Sequence, residues 1–286
     1  MKILITGCGG MLGEAVYKEL KEDHTVFATD IDLNEDWLTF LDVRYPILKD
    51  YSKPDIIIHL AALTRMEYCQ LNPEASYDTN LIGTNKMVQI AKDHDIPFVY
   101  ISSAGIFDGK KEYYLENDKP NPLSVYAKSK YAGELMSLTH YKTTVIRAGW
   151  MIGGGPKKDK MFINKLIKQI QSGAKELFVV KDKFGTPTYT YDLAKLIRYL
   201  ISNHRYGIYH GTCSGGGSRV EIARELLKDL CLEGKIKLNA VDSDYFKDEY
   251  FAMRPRSEML VSTKINSNRS WEECLKEYIN KFEWKI

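Results

Sequence analysis

The chain has 286 residues, of which 40 are basic and 38 acidic, giving a formal net charge of +2; so even a balance excludes an electrostatic footprint for nucleic acid or an anionic membrane surface. Hydrophobic residues make up 44% and charged residues 27%, ordinary for a soluble globular protein, and no apolar run approaches the roughly 20 residues of a membrane helix. The five cysteines (Cys8, Cys69, Cys213, Cys231, Cys274) are scattered without a Cys-x-x-Cys, and the six histidines do not cluster; this reads as reduced thiols of a cytoplasmic protein with no metal site.

In chain order, KILIT (2–6) is a continuous apolar run, as expected for a strand buried on both faces of a parallel sheet. A glycine turn follows it, which is not the pattern of a signal peptide. Residues 11–22 have helical periodicity, with Leu12, Ala15, Val16 and Leu20 on one side. HTVFATD (24–30) and DIIIHLAA (55–62) are the next strands. Residues 73–94 read as one long helix with Pro73 in its first turn. PFVYISS (97–103) is a strand, 105–122 a loop, 123–139 a helix and TTVIRAG (143–149) another strand. This alternation predicts an α/β fold, a doubly wound parallel sheet of the Rossmann type.

Beyond about Gly153 the pattern changes. A glycine- and lysine-rich loop (153–160) precedes a helix at 161–171, a short strand LFVV (177–180), a helix at 190–202 and the strand GIYH (207–210). Helices near 218–231 and 270–282 close the chain. We expect residues 1–152 to bind the cofactor and carry the reactive groups. Residues 153–286 should be mainly a smaller substrate-binding lobe, with a segment near 185–210 returning to the first domain.

The turn TGCGGMLG places Gly7, Gly10 and Gly13 in a Gly-x-x-Gly-x-x-Gly spacing at the start of a helix. One glycine makes the tight turn, one lets the backbone approach a pyrophosphate, and one lets helix and strand pack closely; the helix N-terminus faces the phosphates. Such turns also join strands to helices without binding anything, but here the turn follows an apolar N-terminal strand. Gly7, Gly10, Met11 and Leu12 are therefore expected against the cofactor. Asp30 ends the second strand, where an acid accepts hydrogen bonds from the adenosine ribose and repels a 2′-phosphate. No Arg follows it, which favours NAD(H), with NADP(H) the alternative. Asp42 and Val43 are expected beside the adenine. Leu60, Ala61, Ala62 and Thr64, in HLAALT (59–64), would run small residues along the cofactor.

Tyr126 and Lys130 stand four residues apart, on one face of a helix. A tyrosine near pKa 10 exchanges protons poorly at neutral pH; a Lys ammonium one turn away and the positive nicotinamide of the oxidised complex would lower it. Lys130 would also hold the nicotinamide ribose. Ser103, at the end of its strand, would orient the same substrate oxygen. Strand alternation sends Ser102 to the other face. Alone, YAKSK is as well explained as a solvated helix face; its place after the Ser-Ser strand and a loop favours catalysis. A dinucleotide turn followed by this pair points to hydride transfer at a carbonyl or alcohol.

These motifs resemble the extended short-chain dehydrogenase/reductase superfamily, and most closely its dTDP-4-dehydrorhamnose reductase branch. TGCGGMLG, HLAALT, SSAGIFDG, YAKSKYAGE, IRAGWMIGGG, GTPTYTYDLA, GIYH and RPRSEML fall in that family's order across nearly the whole chain. The resemblance implies a Ser103–Tyr126–Lys130 triad, assigns Asn80 to the superfamily's helix asparagine, and places Trp150 and Arg254 beside a nucleotide-sugar substrate. It also implies that a homodimer is common among such proteins. Where the branch reads S-T-D-Y-V-F-D-G this chain has SSAGIFDG, so Ala104 and Gly105 replace an acid and a ring next to the sugar. The branch's usual Asp-Gln is Asp182-Lys183. Ala104 and Gly105 supply neither the Asp-Glu pair of sugar-nucleotide dehydratases nor the Cys of GDP-fucose synthases. The implied activity is reduction of a 4-keto-6-deoxy nucleotide sugar in deoxysugar biosynthesis. A nucleotide-sugar 4-epimerase and a non-catalytic NAD-binding regulatory subunit are the alternatives.

Overall fold

The computed structural model describes residues 1–47, 53–265 and 269–284. The first strands are β1 (Lys2–Thr6), β2 (Thr25–Asp30), β3 (Thr39–Phe40), β4 (Ile56–His59), β5 (Phe98–Ser103) and β6 (Thr143–Ala148). Among them lie helices α1 (Met11–Leu20), α2 (Met66–Leu71), α3 (Pro73–Tyr77), α4 (Thr84–Asp93) and α5 (Val125–Ser137). Then come β7 (Trp150–Ile152), α6 (Gly155–Lys158), α7 (Phe162–Gln171), β8 (Glu176–Val180), β9 (Phe184–Gly185), β10 (Pro187–Tyr189), α8 (Thr190–Ser202) and β11 (Gly207–His210). The chain closes with β12 (Gly217–Ser218), α9 (Arg219–Asp229), β13 (Lys237–Val241), β14 (Ser257–Glu258) and α10 (Trp271–Lys281).

Seven strands form one sheet in the order β11-β6-β5-β4-β1-β2-β3, every pairing parallel. From β1 the chain winds outward through β2 and β3, then returns to β4 and winds the other way. The reversal opens a crevice at the carboxyl ends of β1 and β4, the usual ligand position in such sheets. Alternation along the strands builds a core on each face. Ile3 and Ile5 join Leu12, Val16 and Leu20 of α1 and Leu193, Ile197 and Leu200 of α8. Leu4, Ile57, Phe98 and Val145 pack instead with Met87 and Val88 of α4. Thus α8, although late in sequence, covers the same face as α1, and β11 extends the sheet beyond β6.

A separate core joins α7, α9 and α10 through Ile163, Ile167, Ala223, Leu226, Leu275 and Tyr278. Both α9 and α10 start with capping boxes, Ser218 with Glu221 and Ser270 with Glu273, which satisfy the orphan amides at the helix starts. Short strands link this core to the sheet: β10 pairs β7, and β9 pairs both β12 and β14.

The sequence reading does not include α2 or β13 and reads the α6 stretch as loop, and two expected elements take a different course. The strand expected over 55–62 stops at His59, and Leu60–Thr64 continues as an extended loop. The helix expected over 73–94 is interrupted by a π-helical stretch, Asp78–Gly83. Such widening accompanies functional sites, and here it inserts Asn80 inward, where its Oδ1 accepts from the Leu63 amide (2.8 Å) and its Nδ2 donates to the Leu63 carbonyl (3.0 Å).

Candidate active site

The glycine turn leaves β1 through Gly7, whose φ of +69° suits only glycine comfortably. A Cβ there would stand 2.5 Å from the Ala61 amide nitrogen, so the turn and the loop after β4 approach backbone to backbone. A Cβ at Gly13 would strike the Cys8 backbone. Gly10, by contrast, is exposed at the N-terminus of α1, with Met11 beside it and Leu12 buried in the core. Asp30 leans over the turn: its Oδ2 accepts from the Gly9 amide (2.9 Å) and its Oδ1 from the Asp32 amide (3.1 Å). The Asn34 amide donates to the Gly9 carbonyl (3.3 Å). Leu60 and Ala61 run beside this turn, the Leu60 amide donating to the Thr6 carbonyl (3.0 Å); Ala62 is half-buried and Thr64 exposed. Together these residues fit a dinucleotide: a glycine cradle, an open helix N-terminus and an acid at the neighbouring strand end.

Two expected adenine neighbours have other local tasks. Asp42 is clasped by Arg44 (Nη2 to Oδ2, 2.7 Å), which holds its carboxyl below the usual range. Val43 is buried against the π-helical turn, where a Cβ on Gly83 would meet its Cγ2 at 2.8 Å. The sequence window after Asp30 offers no basic residue, yet the fold brings two from far along the chain. Lys157 reaches Glu35 (2.7 Å), and buried Lys158 lies between Glu14 (3.2 Å) and Glu35 (3.3 Å). Both ammonium groups face carboxylates beside the glycine turn.

Ser124 caps α5, its Oγ accepting from the Ala127 amide at 3.2 Å. This helix packs on β5, where the Tyr100 hydroxyl donates to the Lys130 carbonyl (2.9 Å). Ser129 ties the helix to Asn80 (3.0 Å) and donates to the Tyr126 carbonyl (2.8 Å). Tyr126 and Ser103 are brought near enough for the Ser103 side chain to favour the ionised form of the Tyr126 hydroxyl. The Ser103 Oγ also accepts from the Gly105 amide (3.1 Å). Ser102 is buried within the sheet. The Lys130 Nζ lies 4.3 Å from the centre of the Tyr100 ring and donates to the Ile101 carbonyl (2.7 Å).

The electrostatics differ from the expectation that Lys130 lowers Tyr126. Burial pushes the Tyr126 hydroxyl up to about 12, against the effect of the Ser103 side chain, and Glu258 and Cys69 push it the same way as burial. Burial also pulls the Lys130 ammonium down to about 7, with Glu134 opposing. Desolvation sets both shifts, and Lys130 has no part in that of Tyr126. Tyr126 is protonated at neutral pH, as a donor to a carbonyl must be.

The rim of the site comes from the later elements. Ala104 and Gly105 are buried immediately after β5. Trp150, on β7, donates its indole N–H to the Glu258 Oε2 (2.6 Å). Arg254 pairs with Glu67 (2.7 Å) and donates to the Ala252 carbonyl (2.9 Å), its guanidinium 5.2 Å from the Tyr250 ring centre. Arg219 and Glu258, unremarked in the sequence, enter the same cluster. Among the described residues no group of three His, Cys, Asp or Glu could hold a metal ion, and no helix is long and apolar enough to cross a membrane.

Comparison with known proteins decides the family. The family described as the RmlD substrate binding domain matches residues 1–284. The chain belongs to this family. A dTDP-4-dehydrorhamnose reductase of Aggregatibacter actinomycetemcomitans is 30% identical over 96% of this chain and 97% of its own length. The crystal structure of a dTDP-4-dehydrorhamnose reductase from Clostridium acetobutylicum superposes with a TM-score of 0.88 at 32% identity, covering 98% and 99% of the two chains. One from Bacillus anthracis, in complex with NADP, gives 0.87 at 28% identity, covering 98% and 99%. A zebrafish (Danio rerio) methionine adenosyltransferase 2 subunit beta is 32% identical over 69% of this chain and 62% of its own length. Membership of the RmlD family accounts for the winding of the sheet and for the extra lobe.

Proposed function

We propose that the chain is an NAD(P)H-dependent reductase of a 4-keto-6-deoxy nucleotide sugar, acting in deoxysugar biosynthesis in the cytoplasm. The observation that carries this reading is the convergence of Ser103, at the end of β5, with Tyr126 and the buried Lys130 of α5, beside the glycine turn after β1. Residues 1–152 would hold the cofactor, with Gly7, Gly10, Met11 and Asp30 against it, while residues 153–286, apart from the 185–210 segment, would hold the sugar nucleotide.

When bound, the reduced nicotinamide supplies a hydride to the carbonyl carbon. Ser103 orients the carbonyl oxygen. Tyr126 gives its proton to that oxygen as charge develops on it. Lys130 holds the nicotinamide ribose, anchored in direction by the Ile101 carbonyl. Trp150 and Arg254 stand where the sugar and its diphosphate would enter, the guanidinium supplying charge complementary to phosphate.

The test is NADH oxidation by the purified chain with dTDP-4-dehydrorhamnose and dTDP-4-keto-6-deoxy-D-glucose. Oxidised cofactor should appear in one-to-one proportion with a C4 alcohol. Interconversion of a nucleotide sugar carrying a C4 hydroxyl with its C4 epimer, with no net NADH consumption, would make the chain an epimerase. Cofactor binding with no turnover of any keto sugar would favour a non-catalytic subunit, the reading that the methionine adenosyltransferase relative supports.

A further inference from the structure

The residue that the proposed chemistry leaves unused is Glu258. It sits on β14, paired in register with Gly185 of β9, and its carboxylate projects into the rim of the site. Its direction is fixed by a stack. A Cβ on Gly185 would strike the Trp150 ring, so the indole lies flat against that backbone. The Arg219 guanidinium covers the ring at 3.5 Å from its centre. Held between the two, Trp150 presents its N–H to the Glu258 Oε2 at 2.6 Å.

The other oxygen, Oε1, faces the reacting groups. It lies 3.1 Å from the point that a Cβ on Gly105 would occupy, and the Ser103 Oγ lies 3.4 Å from the same point. A side chain at Gly105 would fill the space that this carboxylate reaches across. Glu258 also acts electrostatically on both Tyr126 and Arg219. The local sequence after β5 brings no polar side chain to the sugar, and the carboxylate arrives instead from the far end of the chain.

We propose that Glu258 is the sugar-recognising carboxylate of this site, accepting a hydrogen bond from the C3 hydroxyl and so selecting keto sugars that carry it. This rests on the reductase reading, because Ser103 and Tyr126 then hold the C4 oxygen. An acceptor beside Ser103 meets the substituent of a neighbouring carbon. In a 6-deoxy sugar C5 offers only a methyl group and the ring oxygen, neither of them a donor, whereas C3 offers a hydroxyl. The half-buried Arg219 guanidinium already acts electrostatically on the carboxylate, so a neutral hydroxyl suits the position better than an ammonium group.

The test compares the wild type, Glu258→Ala and Glu258→Gln with NADH and two probes, dTDP-4-keto-6-deoxy-D-glucose and its 3-deoxy analogue. The wild type should favour the 3-hydroxy sugar in kcat/KM by about tenfold to a hundredfold, the scale of a hydrogen bond to a charged group. Glu258→Ala should raise KM for that sugar by the same factor, leave kcat within about threefold and leave the 3-deoxy analogue unaffected. Glu258→Gln keeps an acceptor for the Trp150 indole and should fall between the two, with unchanged melting temperature and NADH affinity. Equal loss with both sugars would overturn the proposal, leaving Glu258 a mere support for Trp150. Deuterium entering C3 or C5 during wild-type turnover in deuterated water, and lost in Glu258→Gln, would also overturn it, making the carboxylate a carbon base. The same comparison on Kd, by calorimetry with NAD bound, decides the proposal even where no sugar is reduced, so a failure of the reductase reading is read separately.

Discussion

Replacing Tyr126 by Phe removes one oxygen from the centre of the site. The ring remains on α5, where Ser124 caps the helix and Asn80 and Ser129 hold its first turn. What is lost is the proposed proton donor and its interaction with the Ser103 side chain. A general acid contributes about a hundredfold to ten-thousandfold, or roughly 3–5 kcal/mol of barrier. Tyr126→Phe should therefore lower kcat at least about a hundredfold while NADH affinity changes little. Stopped-flow NADH fluorescence separates the two quantities. The pH profile adds a second check. Because burial holds the Tyr126 hydroxyl near 12, the proton it donates is present throughout the neutral range; the wild type should show no loss of kcat/KM from tyrosine ionisation up to pH 10. A limb near 7 belongs to Lys130, whose charged form is lost above that pH, and it should persist in Tyr126→Phe. Turnover within about threefold of wild type would refute the assignment of Tyr126 as donor, since loss of a general acid costs far more.

Asp30 should set the cofactor preference: NADH is expected over NADPH by about tenfold or more in kcat/KM, and Asp30→Ala should bring the ratio towards unity. A wild-type preference for NADPH would assign the 2′-phosphate to Lys157 and Lys158 instead. The buried pair of Arg147 and Glu134 (2.6 Å) should resist single changes. Arg147→Met leaves the carboxylate uncompensated and should cost about 3–5 kcal/mol in urea unfolding, whereas Arg147→Met with Glu134→Leu should recover most of that loss.

The fold was legible because its signals are local. A strand buried on both faces reads as an apolar run, and KILIT lies in the sheet where that run places it; GIYH is a strand as read, at the sheet edge. The 190–202 helix likewise matches its periodicity. The two departures have non-local causes. Nothing in 73–94 breaks a helix; the π-helical stretch places Asn80 against Leu63, seventeen residues earlier in the chain. The strand after Asp55 stops at His59 because Gly7 and Ala61 approach so closely that the chain turns into the site rather than along the sheet.

The site divides along the same line. Gly7, Gly10, Asp30, Ser103, Tyr126 and Lys130 sit at strand ends and on one helix face, positions that periodicity and punctuation mark directly. Their electrostatics were not legible. Spacing puts a lysine one turn from a tyrosine, but it does not say that both groups are desolvated, and desolvation reverses the expected shift of Tyr126 and takes Lys130 down towards neutrality. Glu258, Arg219 and Lys158 were missed for a related reason. Each reaches the site through a pairing of distant segments: β14 on β9, α9 behind Trp150, and α6 over α1. A sequence pattern can show that Ala104 and Gly105 lack an acid; only the fold shows a carboxylate arriving from 153 residues later to stand over them. On the reading proposed here, the chemistry would lie at the sheet and selectivity in the lobe, whose residues reach the site only through long-range pairing.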